Sequence, residues 1–241
     1  MSPPAAARPP LFARRYDRRG RRKAGPPVWD PRAWKLVVSP AGVPGFVLLA
    51  VSAAALFVQA RTGGPAPWVL SLEALAQGRV YTLATQMIAH AGVGHLLMNA
   101  SVLLPLAALV MVRMGPGPDG WRRFVALYVG AGLAGAALYL ALNPHGLPMV
   151  GASGAIFGLW GAVSRIRADG GMAPLRSQQV WDEVFLVAVL NALMYLIVFV
   201  LVRLEGGVLG GLAWEGHVGG FLFGLLAMPW LAPRTPPPAT C

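Results

Sequence analysis

Charge is scarce in this sequence. Only 12% of its 241 residues are Asp, Glu, Lys or Arg, about half the share expected of a soluble domain. With 56% hydrophobic residues and a mean hydropathy of +0.59, that scarcity excludes an ordinary water-soluble globule. Cysteine is almost absent: Cys241 is the single one, which excludes a disulfide framework. No internal repeat is visible, and a transporter would be expected to show one. His90 and His95 stand five apart with no glutamate between them, unlike the H-E-x-x-H zinc pattern. Three histidines, with His217, could still be imagined around a metal, but no metal or other cofactor is expected.

What the sequence does contain is long uncharged runs. Leu36–Ala60, Val80–Val112, Phe124–Ser164, Val184–Val202 and Gly216–Pro233 hold no Asp, Glu, Lys or Arg. Each approaches or exceeds the ~18–20 residues of a membrane-spanning helix. The 41 residues from Phe124 to Ser164 are too many for one span. Asn143-Pro144-His145-Gly146-Leu147-Pro148 breaks them with a turn. Six spans result, near 43–60, 93–112, 122–142, 151–165, 184–203 and 216–232, and predict an all-α polytopic membrane protein.

The net charge of +11 does not indicate nucleic acid, because half of the 20 basic residues lie in the first 35 positions, in a Pro/Arg tail without a folded module. Residues 1–37 read as a basic, disordered cytoplasmic tail, 38–232 as the membrane domain and 233–241 as a short Pro-rich cytoplasmic tail. The long flank ahead of the first apolar run favours a retained anchor over a cleaved signal. With the amino terminus in the cytoplasm, that side collects seventeen of the 20 Lys and Arg, including Arg113, Arg122, Arg123, Arg165, Arg167, Arg176 and Arg234. Only Arg61, Arg79 and Arg203 fall outside, as the retention of basic loops in the cytoplasm requires. Both termini are then cytoplasmic.

In that frame His90, His95, His145 and His217 all lie at outer span ends or in outer loops. Asn99 follows His95 by one turn, Ser153 opens the fourth span and His217 opens the sixth. Polar groups at one depth in a bilayer suggest a site, although topology alone equally allows unrelated helix-end residues. Glycine spacing favours the site: Gly216, Gly220 and Gly224 form one ridge, and Gly154 and Gly158 another. Small residues four apart let membrane helices approach closely, which would bring Ser153 beside His217. An imidazole within hydrogen-bond reach can take the serine proton and make the hydroxyl a nucleophile. The nearby carboxylate that could orient the histidine is Glu215, expected at the water boundary, so a Ser–His dyad is expected. Phe157, one turn after Ser153, could pack on the imidazole. His95 and Asn99 share a helix face and, with the backbone N–H groups of Ser153 and Ala152, could stabilise an oxyanion. Gly151 and Gly154 leave the backbone beside Ser153 uncrowded.

Three stretches carry a resemblance: His90-Ala91-Gly92-Val93-Gly94-His95-Leu96-Leu97-Met98-Asn99, Gly151-Ala152-Ser153-Gly154-Ala155-Ile156-Phe157-Gly158, and His217-Val218-Gly219-Gly220-Phe221-Leu222-Phe223-Gly224. In order and in topology they resemble the motifs of the rhomboid family of intramembrane serine proteases, over about residues 43–232. The resemblance implies Ser153 as nucleophile, His217 as base, His95 and Asn99 at the oxyanion hole, and His90 as a structural polar residue. It also implies a six-helix rhomboid-like bundle that cuts transmembrane protein substrates near their outer ends. Residues 204–215 then form a mobile cap and the fifth span a lateral gate. The departures are Tyr81-Thr82 where the family often has Trp-Arg, Gly216 where alanine is usual, and Phe157 where tyrosine is common. An inactive relative that binds membrane clients is the alternative; such relatives usually lose the serine or the histidine, and this chain keeps both. The Ala/Gly/Pro/Arg-heavy composition suggests a bacterial inner membrane.

Overall fold

A computed structural model describes residues 31–167, 170–204 and 212–234. Residues 1–30 of the basic tail, 205–211 of the expected cap and 235–241 of the Pro-rich end lie outside the described residues. The elements are α1 (Pro31–Val37), α2 (Val43–Arg61), α3 (Leu72–Ala76), α4 (Thr82–Thr85), α5 (Val93–Met114), α6 (Pro118–Leu142), α7 (Ser153–Ser164), α8 (Gln178–Leu204) and α9 (Trp214–Leu231). Helices dominate because, in lipid, a helix satisfies its own backbone N–H and C=O groups. Their ends follow local chemistry. Pro118 opens α6, where a missing N–H costs nothing. Gly115, at φ 91°, turns the chain out of α5.

Among the described residues four helical stretches are long and apolar enough to cross a membrane: Pro40–Arg61, Val93–Met114, Pro118–Leu142 and Gln178–Val200. The chain is a multi-pass helical membrane protein. The other two helices of the bundle differ. α7 has 12 residues and rises only ~18 Å, well short of a ~30 Å hydrocarbon core. Every residue from Gly154 to Ser164 is buried, so α7 is a central post with α5, α6 and α9 packed around it. α9 has 18 residues and carries Glu215 in its first turn and His217 just beyond.

The glycine ridges explain how α7 and α9 meet. A Cβ on Gly220 would collide with the Gly154 carbonyl oxygen, and one on Gly224 with that of Gly158. A Cβ on Gly161 would collide with the Phe221 carbonyl oxygen. The two backbones therefore touch, as the spacing of four predicts. Because the obstacle is backbone and cannot rotate away, Gly224→Val is expected to destabilise the protein by at least ~1–3 kcal/mol, the usual cost of overpacking. Thermal unfolding in detergent would show it as a drop of several degrees in Tm.

At the other end of the bundle, two buried arginines latch the helices. Pro229 lies inside α9 and has no N–H to offer the Leu225 carbonyl one turn back. Arg165 fills that vacancy through Nη1 at 2.8 Å while its Nε donates to the Ala173 carbonyl at 2.7 Å. Arg113 donates through Nε to Gly170 and through Nη2 to Pro233, each at 2.7 Å.

One expectation is corrected. Residues 31–37, assigned to a disordered tail, form α1, with Ala33 and Val37 buried in the core beside α5. The two stand four apart, so they share one face that the basic composition around them conceals.

Candidate active site

Ser153 is the first residue of α7 and His217 lies near the start of α9, so the glycine contact that joins the helices also joins these side chains. Ser153 Oγ stands 2.8 Å from His217 Nε2. His217 is 2% exposed, and the Phe157 ring stacks on it with centroids 4.3 Å apart and planes 9° from parallel. The hydroxyl that a tyrosine would add is not needed for that stack.

The other imidazole nitrogen has a partner that the sequence reading missed. His217 Nδ1 lies 2.7 Å from Asn191 Oδ1, on α8. The Asn191 amide is itself oriented, because its Nδ2 donates to the Val187 carbonyl at 3.1 Å. Its oxygen therefore faces the ring, and an amide oxygen only accepts. Nδ1 then carries the proton and Nε2 presents a lone pair to the Ser153 hydroxyl. Glu215, expected at the water boundary, is instead buried at 7% exposure. It lies one turn before the buried Gly219, on the face of α9 that packs into the bundle.

His95, Asn99 and Gly151 converge beside this pair. Gly151 has φ 123°, and a Cβ there would lie 2.9 Å from His95 Nε2 and 3.8 Å from Asn99 Nδ2. The left-handed backbone and the imidazole both demand glycine at this position. His95 Nδ1 accepts the Ala91 N–H at 3.5 Å, a long contact that leaves Nε2–H directed elsewhere. Asn99 donates one amide N–H to His90 Nε2 at 3.0 Å and keeps the second. His90 can accept there because its Nδ1–H serves the Ile88 carbonyl at 3.1 Å. His90 is 1% exposed and meets His95 edge-on, with centroids 5.1 Å apart. Its ring thus contacts the Asn99 amide from the buried side.

The first loop braces the backbone that leads into Ser153. Leu70 and Met149 exchange both backbone hydrogen bonds, at 2.9 and 2.7 Å, and the Gly151 N–H donates to the Gln86 carbonyl at 2.8 Å. Ala152 precedes α7, and the N–H groups of a helix start have no intrahelical acceptors. Gly154, Gly216, Gly220 and Gly224 serve the packing below and beside the pair. Among the described residues no group of three or more His, Cys, Asp or Glu could hold a metal ion. The arrangement is a hydroxyl with an oriented proton acceptor on one side and unspent N–H donors on the other. Such a constellation suits acyl transfer.

The comparisons with known proteins agree with that architecture. The chain is 29% identical over 153 residues to the rhomboid protease GluP of Bacillus subtilis (strain 168), an alignment covering 64% of this chain and 26% of that one. It is 40% identical over 87 residues to YdcA of the same bacterium, which bears the name of a rhomboid protease provisionally; 36% of this chain and 41% of that one are covered. The chain thus spans less than half the length of either relative. The model of the Rhomboid domain matches residues 77–234. Because that match takes in α4 through α9, and so every helix that contributes to the site, the chain belongs to the rhomboid family.

Proposed function

We propose that this chain is an intramembrane serine endopeptidase that cuts transmembrane segments of membrane proteins near their outer ends. The observation that carries the reading is the Ser153 Oγ–His217 Nε2 contact of 2.8 Å, with the far ring nitrogen already committed to Asn191. Ser153 Oγ attacks the scissile carbonyl and gives its proton to His217 Nε2. The oxyanion receives N–H donors from His95, Asn99 and the backbone at Ala152 and Ser153. His217 then protonates the leaving amine, leaving an acyl-enzyme. Water, deprotonated by His217, attacks the ester carbonyl and releases the acid and the serine. No cofactor takes part.

Two relatives whose names call them rhomboid proteases support the reading. The arginine-rich ends of α5, α6, α7 and α9 support a cytoplasmic placement of that face, with Ser153 toward the outer side. Residues 1–30 and 235–241 are assigned to cytoplasmic tails, and the cell membrane of a bacterium is the proposed location. α8 is proposed as the lateral gate through which a substrate helix enters.

The test uses the detergent-purified protein, a fluorophosphonate probe and a transmembrane reporter substrate. Labelling at Ser153 together with cleavage of the reporter is expected; a folded protein that does neither would leave the client-binding reading. Cleavage is also expected to fall in acid, because a protonated His217 cannot accept the serine proton. A rate that stays flat well into acid would remove His217 from the role of base.

A further inference from the structure

The buried residues of α8 form a single stripe: Val180, Glu183, Val187 and Asn191, spaced three, four and four apart. From Ala192 to Val200 none of the residues is buried. Below Asn191 the helix is tied down by polar contacts. Trp160 Nε1 donates to Glu183 Oε2 at 2.9 Å, and Gln179 Nε2 donates to the Ser164 and Ile166 carbonyls at 2.9 and 2.8 Å. Among the described side chains Asn191 is therefore the last buried one of α8, and the atom it seats against is His217 Nδ1.

An asparagine in an apolar span is costly unless it is paired. Here both halves of the amide are used. The Nδ2 bond to Val187 aims the oxygen, and the oxygen takes the His217 Nδ1–H. A neutral imidazole without that acceptor can place its proton on either nitrogen. Only the Nδ1–H form can receive the proton of Ser153, so a group that selects this form contributes to the rate without touching substrate. Phe157 holds the plane of the ring but cannot choose its proton.

We propose that Asn191 is a positioning residue for His217, which it holds in the Nδ1–H form with Nε2 toward Ser153. The seating of α8 and the readiness of the base are then one contact. This rests on the protease reading for its consequence in rate, but not for the tautomer itself.

The experiment compares the full-length parent with Asn191→Leu, which keeps the branched side-chain shape and removes the acceptor, and Asn191→Asp, which keeps an acceptor oxygen. Two readouts are taken in detergent: the rate of fluorophosphonate labelling at Ser153, and the 15N spectrum of the histidine rings. Asn191→Leu is expected to slow labelling roughly 10–100-fold, the range found when partners that orient a metal-bound histidine are removed. It should also abolish the pure Nδ1–H signature of His217, with Tm nearly unchanged. Asn191→Asp should recover most of the rate and retain the signature. Parent-like labelling or an unaltered ring spectrum in Asn191→Leu overturns the proposal. If Asn191→Leu fails to fold, a folded Asn191→Asp protein lacking the signature overturns it instead. A parent that never labels yet shows the signature, lost in Asn191→Leu, sinks the protease reading and leaves the positioning contact standing.

The link to seating is read from a double-mutant cycle with Val187→Ala, which loosens the stripe one turn below. It should slow labelling several-fold in the parent and not at all further in Asn191→Leu, because coupled sites are non-additive. An absent or fully additive effect breaks the link.

Discussion

Ser153→Ala and His217→Ala are each expected to lower reporter cleavage by on the order of 10⁴- to 10⁶-fold, and the double variant should be no worse than the poorer single one. The two side chains act as a unit. Without the hydroxyl there is no nucleophile, and without the imidazole the hydroxyl keeps its proton. Whatever activity remains comes from the donors around the oxyanion and from substrate binding, which both variants leave in place. Fluorophosphonate labelling should vanish in all three. Labelling that survives Ser153→Ala would identify another serine as the reactive one. Losses that multiply in the double variant would mean that the residues act independently, against the 2.8 Å contact between them.

Asn99→Ala is expected to cost a further large factor, roughly 10²- to 10³-fold in kcat, as removal of one oxyanion donor does elsewhere. The amide has two N–H groups, and the bond to His90 uses one of them. The effect of Asn99→Ala therefore mixes a lost oxyanion donor with a lost partner for His90. His90→Ala separates the two, since it removes the brace and leaves both amide hydrogens. Its kcat should fall by about tenfold or less while its Tm falls with it. Equal losses of kcat in the two variants would assign Asn99 to structure alone. KM should change little in Asn99→Ala, because the donor acts on charge that develops only in the transition state.

Phe157 was legible from its place one turn after Ser153, and Ser153, His217, His95 and Asn99 for one physical reason. Polar side chains are rare in uncharged runs, and the glycines beside two of them dictate which helices touch. Asn191 was not legible. It stands in the Val184–Val202 run with no glycine ridge and no second Asn, Gln, Ser or His in that run to mark a polar face. Its partner lies 26 residues away on another helix. The signal that could have found it was its own cost, since an amide in such a run needs a partner. The burial of Glu215 was hidden for the opposite reason, because a carboxylate at a span end is ordinarily placed in water. α1 was masked by the basic residues around it. The pairing of Leu70 with Met149 joins two loops far apart in sequence, and no periodicity announces such a contact.

The backbone contact between α7 and α9 bears on how the surrounding lipid can act. The separation of Ser153 from His217 is fixed by carbonyl oxygens lying against glycines, with no side chain between them to compress or rearrange. Bilayers of different thickness impose tilt on helices that face lipid along their length. α8 is such a helix, with only 17% of its apolar window buried, whereas α7 shows lipid almost nothing. Lengthening the acyl chains of a reconstituted membrane should therefore change how often a substrate is admitted and leave the serine–histidine spacing as it was. On the proposed reading, lipid composition then acts through α8, on entry and on the Asn191 contact to His217, while the spacing of Ser153 and His217 is mechanically isolated from the membrane that contains it.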